Sequence, residues 1–368
     1  MNIKSFNIEG LFNRFNHRIE FKNNITIIIG KNGVGKTTCL ELLYALFRGE
    51  FSTLKEVPFK AITVEFTDGE KLVFSYSQVL DVYSELTKKT CILEKVDCGI
   101  PDFLSKKIDE NRVEFIKSQR LIEFRHYSSD SDNAVYLQNK AVNNSINLAK
   151  QIIGISSKAS DIAANLDKTF PSRLLRGAEN GKNNVDNLIK NLSALEKRRQ
   201  ELSEVGLLAS YENDSSNPQT DNISEASANV LSLYIQDSWA KLQPYEKIAD
   251  KLKLFKEIIN SRFLYKRIEI DKDLGYYFVG DDGKEIPIDK LSSGEQNELV
   301  MFYNLLFECN ENNLILIDEP EISMHIEWLN NMLSDLMAIS KLNGLSMLIA
   351  THSPDFIGEY WYLTTELK

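Results

Sequence analysis

Gly30-Lys31-Asn32-Gly33-Val34-Gly35-Lys36-Thr37 is the stretch on which the fold turns. It fits the pattern G-x-x-x-x-G-K-[ST]. Before it runs Ile25-Thr26-Ile27-Ile28-Ile29, continuous and mostly β-branched, as in a strand buried on both faces. After it, Leu40, Leu43, Tyr44 and Phe47 share one face at helical spacing, so a helix is expected from about Thr38. A bare glycine-rich turn could arise by coincidence, but one lodged between a buried strand and an amphipathic helix has the context of a phosphate cradle. The glycines let the backbone curl so that its N–H groups face an anion. The helix start adds its dipole. Lys36 can then reach the β and γ oxygens of a nucleoside triphosphate, and the Thr37 hydroxyl can hold Mg²⁺. Asn32, Gly33, Val34, Gly35, Lys36, Thr37 and Thr38 are the expected contacts to that triphosphate.

Further along, Leu314-Ile315-Leu316-Ile317 is a second buried strand, and it runs into Asp318-Glu319-Pro320. A strand followed by an acidic turn is common by itself. With a phosphate loop in the same chain, Asp318 is expected on the metal and Glu319 on the attacking water. Ser346-Met347-Leu348-Ile349-Ala350 is a third buried strand, followed by Thr351-His352-Ser353-Pro354. Leu291-Ser292-Ser293-Gly294-Glu295-Gln296 precedes a helix expected over 294–309. Its residues are good helix-capping chemistry, and the N–H groups of Ser292, Ser293 and Gly294 also make an anion site at a helix start.

The intervening sequence alternates between strand and helix character. Ile3, Phe6 and Ile8, then Ile19-Glu20-Phe21, suggest early strands. Residues 61–77 alternate around Asp68-Gly69, a hairpin signal. Val113-Glu114-Phe115-Ile116 is a short strand leading to Gln119, and Gln78 is a second glutamine in a comparable place. From about 135 to 262 the pattern is helical, with runs over roughly 142–168 and 223–262. Val185, Leu188, Leu192, Leu195 and Leu202 form a seam that Arg199 interrupts. Residues 211–222 are polar and expected to be loop or disordered. Strands return at Arg267–Ile270 and Gly275–Val279, before an Asp282-Gly283 turn. The expected division is therefore 1–135 and 263–368 as two halves of one α/β body, with 136–262 as an inserted helical subdomain.

Composition narrows the function. The net charge is −10 over 368 residues, so any nucleic-acid contact must be a local patch or come through a partner. Lys197-Arg198-Arg199, with Lys190 nearby, is the one basic run that stands out, and such a short run is also an ordinary solvated helix face. No apolar run approaches the ~20 residues that span a bilayer, and the N-terminus lacks a signal-peptide pattern, so a cytoplasmic location without a membrane is expected. Cys39, Cys91, Cys98 and Cys309 are scattered, with no spacing for zinc.

Taken in order, these motifs resemble the ABC/SMC-like ATPases of bacterial anti-phage systems, AAA_15-like, such as the Septu-type ATPase subunit and the ATPase half of overcoming-lysogenization-defect nucleases. The likeness covers about 1–125 and 265–368, through Gly10-Leu11-Phe12-Asn13-Arg14-Phe15, Phe115-Ile116-Lys117-Ser118-Gln119-Arg120-Leu121, the Leu291 run, Asp318-Glu319-Pro320-Glu321-Ile322-Ser323-Met324-His325 and Ala350-Thr351-His352-Ser353-Pro354. Ser293 departs from the family signature, which has glycine there. The resemblance implies an α/β P-loop NTPase head of ABC type, with a mixed β-sheet, an antiparallel β subdomain and the inserted helices. It implies ATP hydrolysis with Mg²⁺, with Lys36, Glu319, His352 and Gln119 catalytic and Thr37, Asp318 and Gln119 around the metal. His352 would read the γ-phosphate, and His325 would occupy the D-loop, or simply begin a surface helix. Ser292, Ser293 and Gly294 would close the nucleotide site of a second copy. The nuclease types continue past the histidine motif, whereas this sequence ends at Lys368, so any nuclease, of HNH or Toprim type, or a toxin, is expected on a separate effector subunit. The rival readings are a DNA-repair or chromosome-organising head that binds DNA directly, and a transporter cassette.

Overall fold

A computed structural model describes residues 3–22, 24–76, 80–92, 101–117, 122–129, 132–177, 185–209, 225–322 and 326–368. Its strands are β1 (Ile3–Leu11), β2 (Phe15–Glu20), β3 (Ile25–Ile29), β4 (Ala61–Phe66), β5 (Lys71–Tyr76), β6 (Leu80–Ser84), β7 (Lys89–Ile92), β8 (Val113–Ile116), β9 (Ile122–Ser129), β10 (Asp132–Asn139), β11 (Lys266–Asp271), β12 (Gly275–Gly280), β13 (Glu285–Ile286), β14 (Leu314–Asp318), β15 (Ser346–Ala350) and β16 (Thr364–Glu366). Its helices are α1 (Lys36–Arg48), α2 (Phe51–Glu56), α3 (Asp102–Glu110), α4 (Lys140–Gly177), α5 (Val185–Glu204), α6 (Glu225–Leu242), α7 (Glu246–Asn260), α8 (Ser293–Tyr303), α9 (Ile326–Asn343) and α10 (Pro354–Ile357). The chain divides into two units, Met1–Phe124 with Ser292–Lys368, and Arg125–Leu291.

In the first unit, parallel and antiparallel strands are segregated into separate sheets. One is parallel throughout, in the order β16-β3-β15-β14-β8. The other is antiparallel, in the order β2-β1-β4-β5-β6-β7. Every residue of β14 and β15 is buried, which is why they read as unbroken apolar runs. β4 is buried at alternate residues, so it covers the core with one face only. Helix α1 lies in the core between the sheets. Its Leu40, Leu43 and Leu46 share one cluster with Phe6, Ile62 and Phe74 from the antiparallel sheet and Leu314, Leu316 and Leu348 from the parallel one. The helix expected over 294–309 is α8 up to Tyr303, then a single π turn over Asn304–Glu308. The π turn frees carbonyls of Leu305 and Leu306, and the Asn343 amide donates to both at 2.8 and 3.0 Å.

The second unit is wider than the helical block expected over 136–262. It takes in β11–β12–β13 as well, because the helices bury their apolar faces on that sheet. Phe255 on α7 meets Tyr276 on β12 edge-on, ring centroids 5.7 Å apart, and Phe263 stacks on Phe278 at 5.6 Å. Helix α4 has 38 residues and continues through Pro171, about 57 Å in length. Its Ser145 hydroxyl donates to the carbonyls of Leu274 and Tyr276, and the Tyr276 hydroxyl donates to the Ala141 carbonyl. On α5, Leu188, Leu195 and Leu202 are buried. Arg199, which interrupts that seam, reaches α6 instead, donating to the Tyr234 hydroxyl (3.1 Å) and Ser238 Oγ (3.2 Å).

Candidate active site

Parallel strands present their C-terminal ends on one edge, and the loops that follow them converge there. In this sheet β15 lies between β3 and β14. The loop carrying His352 therefore emerges between the phosphate loop and the acidic pair. The three strand ends are laced together: Thr351 N donates to Ile28 O at 3.2 Å, and Glu319 N to Ala350 O at 2.9 Å.

The phosphate loop passes twice through the left-handed backbone region that favours glycine. Gly33 and Gly35 have φ of +84° and +93°. A Cβ on Gly35 would lie 2.8 Å from Leu11 Cδ2, and one on Gly30 would lie 2.9 Å from the Leu367 carbonyl. Asn32, Gly33 and Thr37 are exposed, whereas Val34, Gly35 and Thr38 are half-buried. Lys36 is 7% exposed. Its ammonium donates to the carbonyls of Gly30 (2.9 Å) and Lys31 (3.4 Å), and no carboxylate among the described residues pairs with it. A buried cation with only carbonyl partners is suited to an anionic ligand. His17, which the motifs did not point to, props this loop from β2. It is buried, and its Nε2 donates to the Val34 carbonyl at 2.8 Å. The only sequence signal for it is the alternation that turns His17 and Ile19 inward together.

Thr37 Oγ1 donates to both carboxylate oxygens of Asp318, at 3.1 and 3.0 Å. Asp318 is 7% exposed. Burial pushes its carboxyl above the usual range; the Thr37 hydrogen bond opposes this, and Glu319, Glu41 and Glu321 push it further up. One hydroxyl and one crowded carboxylate fit Mg²⁺, which typically takes one or two protein carboxylates and completes its shell with phosphate and water. Among the described residues there is no group of three or more His, Cys, Asp or Glu that could hold a metal by itself.

Asp318 is harder to ionise in the folded protein than in the unfolded chain. The folded-state value lies above the unfolded one. Ionising Asp318 therefore costs the fold nothing below the unfolded value and its full amount above the folded one, so this site loses stability as pH rises through that window. Asp318→Asn removes the cost while retaining an acceptor for Thr37. At neutral pH its melting temperature without ligand should rise by about 1–3 °C, and added Mg²⁺ should stabilise it less than it stabilises the unsubstituted protein. Differential scanning calorimetry with and without Mg²⁺ measures both effects.

Glu319 sits in the left-handed region at φ +45°, uncommon for a residue with a side chain. His352 is half-exposed, with Nδ1 3.5 Å from Glu319 Oε1 and 3.4 Å from Glu321 Oε1. The structure thus brings Lys36, Thr37, Asp318, Glu319 and His352 to one edge of the sheet. It leaves Ser292, Ser293 and Gly294 apart, with no hydrogen bond or ion pair to any of those five. Ser292 is the N-cap of α8 in a reciprocal capping box: its hydroxyl accepts from Glu295 N (3.3 Å), and its N–H donates to the Glu295 carboxylate (2.9 Å). Gln119, its rival Gln78 and His325 lie outside the described residues.

The basic run on α5 is committed within its own unit. Arg198 pairs with Glu246, Glu201 and Asp250, and Arg199 pairs with Glu196 besides its bonds to α6. Two of the four cations behind a direct DNA contact are therefore already engaged.

A phosphate loop and an acidic strand end meeting on a parallel sheet define a P-loop nucleotide-binding protein. The chain belongs to the AAA ATPase domain family, whose model matches residues 1–357. That membership carries ATP and Mg²⁺ binding with it in general terms. Two curated relatives are the UvrABC system protein A of Helicobacter pylori strain J99, 29% identical over 150 residues, and that of strain 26695, 28% identical over 150 residues. In each case the match covers 40% of this chain but only 14% of the relative's length. Among solved structures, an Smc head domain with an extended coiled coil bound to the C-terminal domain of ScpA, from Pyrococcus furiosus, aligns over 97% of this chain and 91% of its own. Its TM-score of 0.42 and 13% identity are too low to support an argument. No helix among the described residues is long and apolar enough to cross a membrane.

Proposed function

We propose that this chain is the ATP-hydrolysing sensor and scaffold subunit of a bacterial anti-phage defence complex, and that two copies close head to head around ATP to control a separate effector. The observation that carries the hydrolytic part is the meeting of Lys36, the Thr37–Asp318 pair, Glu319 and His352 on one sheet edge. Lys36 leaves its carbonyl partners for the β and γ oxygens. Thr37 and Asp318 would hold Mg²⁺, which would supply charge neutralisation at the phosphates. Glu319 orients and deprotonates the attacking water. His352 donates to the γ-phosphate, and Gln119 senses metal and water. The anion site at the α8 N-terminus, with the Ser292 hydroxyl still free to donate its proton, closes the nucleotide of the second copy. The defence role is supported by the sequence resemblance at Asp318–His325 and Ala350–Pro354, and the effector, a nuclease or toxin, by the same analogy.

Lys36→Ala tests the nucleotide site directly. Saturating MgATP should raise the melting temperature of the wild-type protein by several degrees, since a ligand at 100 times its Kd stabilises by about 2.7 kcal/mol. The variant should show no such rise. A variant stabilised as much as wild type would place the nucleotide elsewhere. Light scattering with and without ATP tests the dimer.

A further inference from the structure

Glu321 is an acidic residue in this region that neither the phosphate loop nor the acidic pair accounts for. Its side chain is 7% exposed. One oxygen, Oε1, accepts from the Thr351 hydroxyl at 2.6 Å and from the His352 N–H at 3.1 Å. The other, Oε2, is buried without a hydrogen-bond partner. Leaving a buried carboxylate oxygen unpaired is costly, so what holds Glu321 in this position is the pair of bonds that Oε1 accepts. Thr351 Oγ1 in turn accepts from Ser353 N at 3.0 Å, and Ser353 Oγ caps α10 by accepting from Phe356 N at 3.3 Å. One carboxylate oxygen thus anchors the whole backbone from Thr351 to the start of α10. Glu321 also shares a tight turn with Glu319, closed by Ile322 N donating to Glu319 O at 3.1 Å.

We propose that Glu321 is a positioning residue for hydrolysis, which ties the His352 loop to the turn that carries Glu319 so that the base and the phosphate-reading histidine move as one piece. The inference rests on the hydrolytic reading above. It assigns Glu321 no contact with ATP, so its loss should affect turnover rather than binding.

The test uses the full-length chain with Glu321→Ala, Glu321→Gln, His352→Ala and the double variant Glu321→Ala/His352→Ala. Glu321→Ala should lower kcat about 10–100-fold, the range for residues that orient a catalytic group, with the MgATP Kd within about threefold of wild type. Glu321→Gln retains the accepting oxygen and should recover most of the rate. The double variant should be no slower than His352→Ala alone, as expected for residues that act as a unit. Hydrogen exchange read by mass spectrometry should speed up over residues 351–354 in Glu321→Ala and return toward wild type in Glu321→Gln. Unchanged exchange in Glu321→Ala, a rate loss that adds to that of His352→Ala, or Glu321→Gln as slow as Glu321→Ala would each overturn the proposal. A wild-type protein that does not turn over ATP would instead sink the hydrolytic reading, and the exchange measurement would still decide the clamp.

Discussion

Glu319→Gln should bind MgATP about as tightly as wild type and hydrolyse it roughly 10²–10⁴-fold more slowly, the usual contribution of a positioned general base. At 1.36 kcal/mol per factor of ten, that is about 3–5 kcal/mol of transition-state stabilisation. The amide has the shape of the carboxylate but cannot take a proton from water. The backbone that places it is unaffected, because the bond from residue 319 N to Ala350 O involves no side chain. Lys36, Thr37 and Asp318 remain in place, so the ground-state contacts survive. Single-turnover phosphate release, alongside nucleotide binding measured by equilibrium dialysis, separates the two effects. Turnover at the wild-type rate would mean that another group activates the water. A matched loss of binding would mean that Glu319 holds the metal.

Gly275→Ala should destabilise the Arg125–Leu291 unit by more than about 4 kcal/mol, at the exceptional end for a single substitution. Gly275 has φ +80°, and an added Cβ would lie 2.0 Å from the Ser145 carbonyl oxygen on α4. The obstruction is helix backbone, so no side-chain rotation relieves it. Separating α4 from β12 would break the bonds from Ser145 to Leu274 and Tyr276 and the bond from Tyr276 to Ala141. Chemical denaturation followed by circular dichroism should show an early transition. Gly283→Ala is the control: it has a similar φ of +78° but nothing within 4 Å of the added Cβ, and should cost far less. Equal losses in the two variants would attribute the effect to backbone strain alone.

Much of the first unit was legible in the sequence because its signals are local. Ile25–Ile29, Leu314–Asp318 and Ser346–Ala350 are strands buried on both faces, and such strands leave continuous apolar runs. The Asp68-Gly69 hairpin announced itself through alternation and its turn. Other elements gave weaker signals. The strands Leu80–Ser84 and Lys89–Ile92 extend the antiparallel sheet at its edge, and Thr364–Glu366 joins β3 by backbone bonds that need little from its side chains. Helix α4 passes Pro171, where local propensity argues for a stop.

For the site, the sequence by itself determined the candidates: which residues carry the ammonium, the hydroxyl, the acidic pair and the histidine, because those types at those spacings follow strands that must be buried. Only the tertiary structure decided how they meet. It set β15 between β3 and β14, which brings His352 beside Glu319. It also turned His17 toward the Val34 carbonyl and Glu321 toward Thr351. The physical reason is that strand order and hydrogen-bond partners join residues far apart in the chain, and no local periodicity records such pairings.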